Sequence, residues 1–347
     1  MDRRSLLLSA TIAPLIIAAG RSARLCADEK PADGWRRFEI TTEVALAEGL
    51  ASLWLPLAQS ARSYQHSLSL AWQATADQTE LADDPVYGAP VLRLNWTKDA
   101  DIRQARVVQI VETRDRDGQP DPASPAERAL FLEPTASMPT DGIVRRTAEQ
   151  IIAGKEAPRE RARAIYDWVA DNAFRDPATR GCGLGNIATM LETGYLGGKC
   201  ADISSLMVGL CRAVGIPARE VYGVRVADSR QFKCLGRAGD VTKAQHCRAE
   251  IYLEPQGWTP VDPADLRKVV LEEHLPLDAA PVRALRERLF GSWEMNWVGF
   301  NDARDFTPAG APHALEFLMY PYAVAANAEP DWLDPDSFRY RISTREI

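Results

Sequence analysis

From residue 34 to about 135 the apolar positions fall in short runs separated by turn residues. Trp35 to Ile40 opens the series and Ala51 to Leu57 follows. Ser67 to Trp72 and Val91 to Trp96 alternate apolar and polar positions, and Ala105 to Thr113 is the strongest run. Alternation at a period of two sends successive side chains to opposite faces of a strand. A string of such runs with turns between them predicts an antiparallel β-sandwich. Arg114 to Pro125, rich in Asp and Pro, reads as a loop.

The period changes at Asp141. Ile143-Val144 and Ile151-Ile152 mark one face of a helix that ends near Gly154. Ala162, Ile165, Trp168 and Val169 form the stripe of a second helix, Pro158 to Phe174, which Arg175-Asp176-Pro177 ends. A Gly-rich stretch from Gly181 to Gly198 holds only a short helical turn, Ile187 to Glu192. The next helix starts at or beside Cys200, with Ile203, Leu206, Met207, Leu210 and Val214 on its stripe. Gly215-Ile216-Pro217 stops it, Gly supplying the left-handed cap and Pro forbidding continuation. Arg219 to Val226 and His246 to Leu253 read as strands around a polar loop, Ser229 to Lys243. Glu254 to Gly257 reads as a turn of type I, and Trp258 to Asp262 as the partner strand. Beyond residue 276 lie aromatic runs, Trp293 to Phe300 and Phe317 to Tyr322, and one helical stretch, Val282 to Phe290.

Residues 1–27 stand apart from this pattern. Arg3-Arg4 precede an apolar stretch that runs to Ala19, which is the pattern of an export signal, twin-arginine or Sec. Cleavage after Gly20 or Ala27 fits, and Cys26 sits in a poor lipoprotein box. No later segment has the eighteen apolar residues of a membrane span. The expected location is therefore the periplasm, with no stable membrane span.

Composition narrows the function. The 347 residues carry 46% apolar and 26% charged side chains and a net charge of −7. The first 27 residues hold four Arg and one Asp, so the remainder stands near −10. An acidic chain without a basic stripe is a poor nucleic-acid binder. Six cysteines (26, 182, 200, 211, 234, 247) with no C-x-x-C spacing support neither a disulfide scaffold nor a zinc site. In an oxidising compartment the loop cysteines Cys182 and Cys234 are candidates for one bridge. Cys211, inside a helix stripe, reads as core, and so does Cys247.

Cys200 is different. It opens a buried helix behind Gly197-Gly198-Lys199 and before Ala201-Asp202. A helix N-terminus offers free N–H groups and about half a positive charge, which favours a thiolate. The Gly pair leaves room for a bend and for an approaching substrate. His246 is a candidate base; His66, His274 and His313 lack comparable surroundings. Asp262 is a candidate orienter, or a turn residue before Pro263. The residues 246 and 262 share parity. An odd-numbered connection puts them on one face of the hairpin, with Gly257 as its left-handed residue, though several residues apart along the strands. Cys200, His246 and Asp262 are also metal-ligand types, but their spacing is irregular.

Gly198-Lys199-Cys200-Ala201-Asp202, Gly215-Ile216-Pro217-Ala218-Arg219, the His246 strand and Trp258-Thr259-Pro260-Val261-Asp262-Pro263 resemble the core of the transglutaminase-like superfamily over roughly residues 141–265. The resemblance implies an α+β fold, a papain-like core with an antiparallel sheet behind an N-terminal β-sandwich. The implied organisation is an export signal (1–27), a sandwich (28–137), a catalytic core (138–275) and a β-rich extension packed on the core (276–347). It implies Cys200 as nucleophile, His246 as base and Asp262 as orienter. The expected partner is a peptide or protein substrate, cell-envelope material included, with no nucleic acid, no metal and no cofactor. Hydrolysis by a peptidase or amidase is the expected reaction. An amine-accepting transglutaminase and a non-catalytic envelope binding or assembly module are the alternatives.

Overall fold

The computed structural model describes residues 31–347 apart from 48, 61–62, 98–101, 326–327 and 336–337. The export segment, its cleavage positions and Cys26 lie outside the described residues. Six strands come first: β1 (Trp35–Leu46), β2 (Ala51–Pro56), β3 (Gln65–Ala74), β4 (Gln78–Asp83), β5 (Pro90–Trp96) and β6 (Arg103–Arg114). Five helices follow: α1 (Pro125–Leu130), α2 (Gly142–Ile151), α3 (Pro158–Asn172), α4 (Ile187–Thr193) and α5 (Cys200–Ala213). Then come β7 (Ala218–Arg225), β8 (Gln245–Leu253), β9 (Gly257–Val261), α6 (Pro263–Glu272), α7 (Ala280–Arg288), β10 (Trp297–Asn301), β11 (Tyr322–Ala325) and β12 (Tyr340–Glu346).

The sandwich has two antiparallel sheets, ordered β12-β1-β6-β3 and β11-β2-β5-β4. Their inward faces supply Phe38, Ile40, Leu53, Leu55, Leu92, Leu94, Val107 and Val111 to one buried core. Both sheets are completed from the far end of the chain. Phe38 to Val44 pairs with Glu346 to Tyr340, and Ala51 to Trp54 pairs with Ala325 to Tyr322. The third sheet, β9-β8-β7-β10, is also antiparallel and takes β10 from the same C-terminal segment. Chain ends woven in this way make the sandwich and the core one packed body. Gln65 bonds Gly299 twice, at 2.7 and 2.8 Å, and the Arg116 guanidinium meets the buried Glu250 carboxylate.

Helix α5 packs on β8 and β7, and every residue of it except Asp202 is buried. Gly215 follows in the left-handed region at φ 81°, as its position after the stripe demands. Two helices went unread in the sequence. α1 is capped by Ser124 with Pro at its first position, and α6 is capped by Asp262 with Pro263 at its first position. Both are short, and their start signals lie in segments that otherwise read as turn.

Candidate active site

Each candidate side chain is placed by the end of an element. Cys200 is the first residue of α5, so its N–H precedes the first intrahelical bond and points out of the helix. Asp202, one turn in, accepts from the Lys199 N–H at 2.9 Å. It also accepts from Leu184 and Gly185 at 3.2 and 2.9 Å, which fastens the preceding Gly-rich loop to the helix start. A Cβ on Gly183 or Gly198 would fall inside the Asp202 carboxylate. The small residue at 198 therefore makes room for a side chain of the same protein. From the sequence it reads as room for a substrate. The loop is tied again from the other side: Ala201 N–H donates to the Cys182 carbonyl at 2.9 Å.

The hairpin explains how His246 meets Asp262. Leu253 pairs with Gly257 and Ala249 with Val261, so the connection has three residues, Glu254 to Gln256, and Gly257 has φ 87°. The turn carries a cis Glu254–Pro255 bond rather than a type I geometry. One residue past Val261, Asp262 falls level with Arg248, two positions along from His246 on the same face. Diagonal neighbours on one face of a sheet remain within reach of each other. His246 Nε2 and Asp262 Oδ2 stand 2.9 Å apart, and no bulge is needed. The other Asp262 oxygen, Oδ1, accepts from the Asp265 N–H at 2.8 Å as the cap of α6. The turn-residue reading of Asp262 and the orienter reading therefore describe two oxygens of one carboxylate.

The site holds more than these three side chains. Asp265 lies 3.3 Å from His246 Nε2 and 2.5 Å from Arg225. Arg248 lies 3.3 Å from Asp262. All are buried. Burial works against a charged His246, but Asp265 and Asp262 overcome it and push its pKa up to about 9. With Nε2 held by the carboxylates, Nδ1 is left for the thiol. Cys200 is held well below the ordinary thiol range, first by a hydrogen bond from Cys182, then by Cys247, with His246 adding to both. Burial opposes ionisation of Asp265, yet Arg225 beside it keeps the carboxyl well below its usual range. His246, Asp262 and Asp265 offer ligand atoms within 4.8 Å of one another. Arg225 and Arg248 already bring positive charge to both carboxylates there.

Three further residues face this centre. Cys182 sets its thiol 3.5 Å from the Gln245 carbonyl and hydrogen-bonds Cys200. Tyr320, delivered by the C-terminal segment, hydrogen-bonds Cys182. The Gln245 amide nitrogen is buried without a partner on the same cavity wall. The cavity measures about 830 Å³. Cys182 and Cys234 both line it, but as free thiols. Cys182 is turned toward Cys200, while Cys234 packs beside Glu273, so the proposed bridge between them is not formed. Cys247 is core, as expected, yet close enough to Cys200 to act on it, which the alternation of strand faces did not reveal. His66 stacks on Trp35 in the sandwich and His313 pairs with Glu329 at 2.7 Å, both remote from Cys200 in the fold.

Residues 145–263 match the family model of the transglutaminase-like superfamily. An uncharacterized protein of Haemophilus influenzae is 35% identical over 326 residues, covering 87% of this chain and 88% of its own. Among solved structures, a candidate cysteine protease from Cytophaga hutchinsonii superposes with a TM-score of 0.55 at 18% identity. That match covers 90% of this chain and 98% of the other. Similarity at this level speaks to the fold, and the shared fold extends across the sandwich as well as the core.

Proposed function

The chain belongs to the transglutaminase-like superfamily, and on that premise we propose that it is a thiol acyl-transfer enzyme cleaving peptide or carboxamide bonds. One observation carries the reading: a thiol held in its anionic range at the start of a buried helix, against a histidine whose far nitrogen is 2.9 Å from a buried carboxylate. The Cys200 thiolate attacks the carbonyl carbon, and the C–S bond forms as the carbonyl electrons move to oxygen. The oxyanion is received by the Cys200 N–H and by the unpartnered Gln245 amide. His246, already protonated through its raised pKa, gives its proton to the leaving amine as the C–N bond breaks. Asp262 holds the imidazole orientation and its charge. Water, drawing on the now neutral His246 as base, then releases the acid and restores the thiol. The wide cleft admits water freely, which favours hydrolysis over transfer to an amine.

We further propose export to the periplasm, on the Arg3-Arg4 pair and the apolar run after it. Among the described residues no helix is long and apolar enough to cross a membrane. Fractionation of cells expressing the full chain tests the location. Iodoacetamide labelling at pH 6 tests the nucleophile: Cys200 labels and Cys211, whose thiol burial pushes well up, does not. Equal labelling of both defeats the reading and returns the binding-module alternative. Trapping the acyl-enzyme in the presence of a primary amine then separates hydrolysis from amine transfer by the product formed.

A further inference from the structure

The charge of the cleft is opposite to that of the chain. The protein carries a net −7, yet the cavity around Cys200 is lined by eight Lys and Arg side chains against four Asp and Glu. Part of this excess is spoken for within the fold: Arg225 pairs with Asp265, Arg175 with Glu272, and Arg180 with Asp331. The remaining cations stand on facing walls. Lys233, Arg237 and Lys243 are exposed along the loop before β8, and Lys199 flanks the nucleophile. The positive field also reaches Lys268. Burial first, and Arg225 and Arg175 besides, hold its ammonium below the ordinary lysine range.

Cys200 does not explain these charges. The groups that lower its pKa are Cys182, Cys247 and His246, not the lysines of the rim. Nor does the fold need them, since they sit at the solvent edge of a loop. Unlike charges in a cleft with low-dielectric walls concentrate an oppositely charged ligand and raise its rate of arrival.

We propose that the cleft selects an acyl donor bearing free carboxylates, an acidic peptide, whose anionic groups meet Lys233, Arg237 and Lys243 on one wall and Lys199 on the other. This rests on Cys200 being the nucleophile, and the experiment separates the two. Three methanethiosulfonate reagents of like size, anionic (sulfonatoethyl), neutral (methyl) and cationic (trimethylammonioethyl), are reacted with Cys200 in the full exported chain at pH 7. Rates are normalised to 2-mercaptoethanol. The anionic-to-cationic ratio should exceed that of mercaptoethanol by about tenfold or more at 20 mM salt, in the range of electrostatic steering. It should shrink towards the mercaptoethanol value in 0.5 M NaCl, where screening acts within about 4 Å. Lys233→Gln combined with Lys243→Gln should reduce it at least threefold. A ratio equal to that of mercaptoethanol, or one unmoved by salt, overturns the proposal. The ratio is defined even for an ordinary thiol, so charge selection stands or falls alone. The neutral reagent's rate judges the nucleophile separately.

Discussion

Asp262 serves two neighbours at once, and two substitutions separate them. Its Oδ2 lies 2.9 Å from His246 and its Oδ1 caps α6 through the Asp265 N–H at 2.8 Å. Asn keeps a capping oxygen and is as good a cap as Asp, whereas Ala removes it at a cost of about 1 kcal/mol. Neither replacement carries the charge that raises His246 and faces Arg248, so both leave that guanidinium short of one partner to the same extent. The difference between the two variants therefore isolates the cap. For a core of this size about 1 kcal/mol corresponds to 2–4 °C in Tm. Asp262→Ala should melt about that much below Asp262→Asn, and Asp262→Asn somewhat below wild type. The chemistry should not distinguish the two variants. Loss of the charge returns the His246 pKa from about 9 toward its ordinary value, which weakens the imidazolium that supports the thiolate. Each unit lost in the pair is a factor of ten, so iodoacetamide labelling of Cys200 at pH 6 should slow by about tenfold or more in both. Turnover should fall by about 10³–10⁴ in Asp262→Asn, the range for loss of an imidazole orienter. Wild-type labelling in Asp262→Asn would remove Asp262 from the chemistry. Equal Tm values in the two variants would remove it from the cap.

Three more outcomes are expected. Gln245→Ala should cut turnover by about 10²–10³, the usual loss for one oxyanion donor, while leaving iodoacetamide labelling of Cys200 unchanged; slowed labelling would mean that Gln245 supports the thiol instead. Cys182→Ala removes the largest contribution to the low pKa of Cys200, so the labelling profile should move to higher pH, and an unmoved profile would refute that hydrogen bond. The stability profile tests the ion pair. A His246 raised from 6.5 to about 9 stabilises the fold fully below 6.5, and that contribution is lost as pH rises through 9, up to about 3 kcal/mol. The lowered Cys200 acts in the opposite sense, present above the unfolded thiol pKa and lost as pH falls through its folded value. Urea unfolding of wild type between pH 6.5 and 8.5 should therefore be nearly flat, while Cys200→Ala should lose stability steadily toward pH 9. A flat profile in the variant would mean that His246 is not raised.

The part of this site that could be read from the chain is the part that periodicity and local chemistry write down. α5 shows itself by an apolar stripe from Ile203 to Leu210 and a Gly-Ile-Pro stop, so the position of Cys200 at its start follows from spacing alone. The hairpin parity of His246 and Asp262 follows from the alternation of strand faces and an odd-numbered loop. What stayed hidden depends on elements distant in sequence. Tyr320 reaches Cys182 because β11 and β12 close the two sandwich sheets from the C-terminal end, and no local pattern announces which sheet a late strand will join. Asp265 reaches His246 because α6 begins at Asp262, which turns the residue three positions on back toward the strand. The Asp-Pro-x-Asp start of that helix was present in the sequence, and its capping signal was the one local clue to a second carboxylate. Gln245 shows no mark in sequence at all, since a strand glutamine is ordinarily satisfied by solvent or a neighbour. Only burial without a partner, on the wall that Cys200 shares, sets it apart. The basic rim is hidden in a different way: Lys233, Arg237 and Lys243 are scattered through a polar loop of an acidic chain, where net charge points away from them. Their common sign acquires meaning when the loop, the start of α5 and the C-terminal segment are brought around one thiol. The chemistry of attack thus sits in short motifs, while the choice of what is attacked sits in the long-range topology that gathers the cleft.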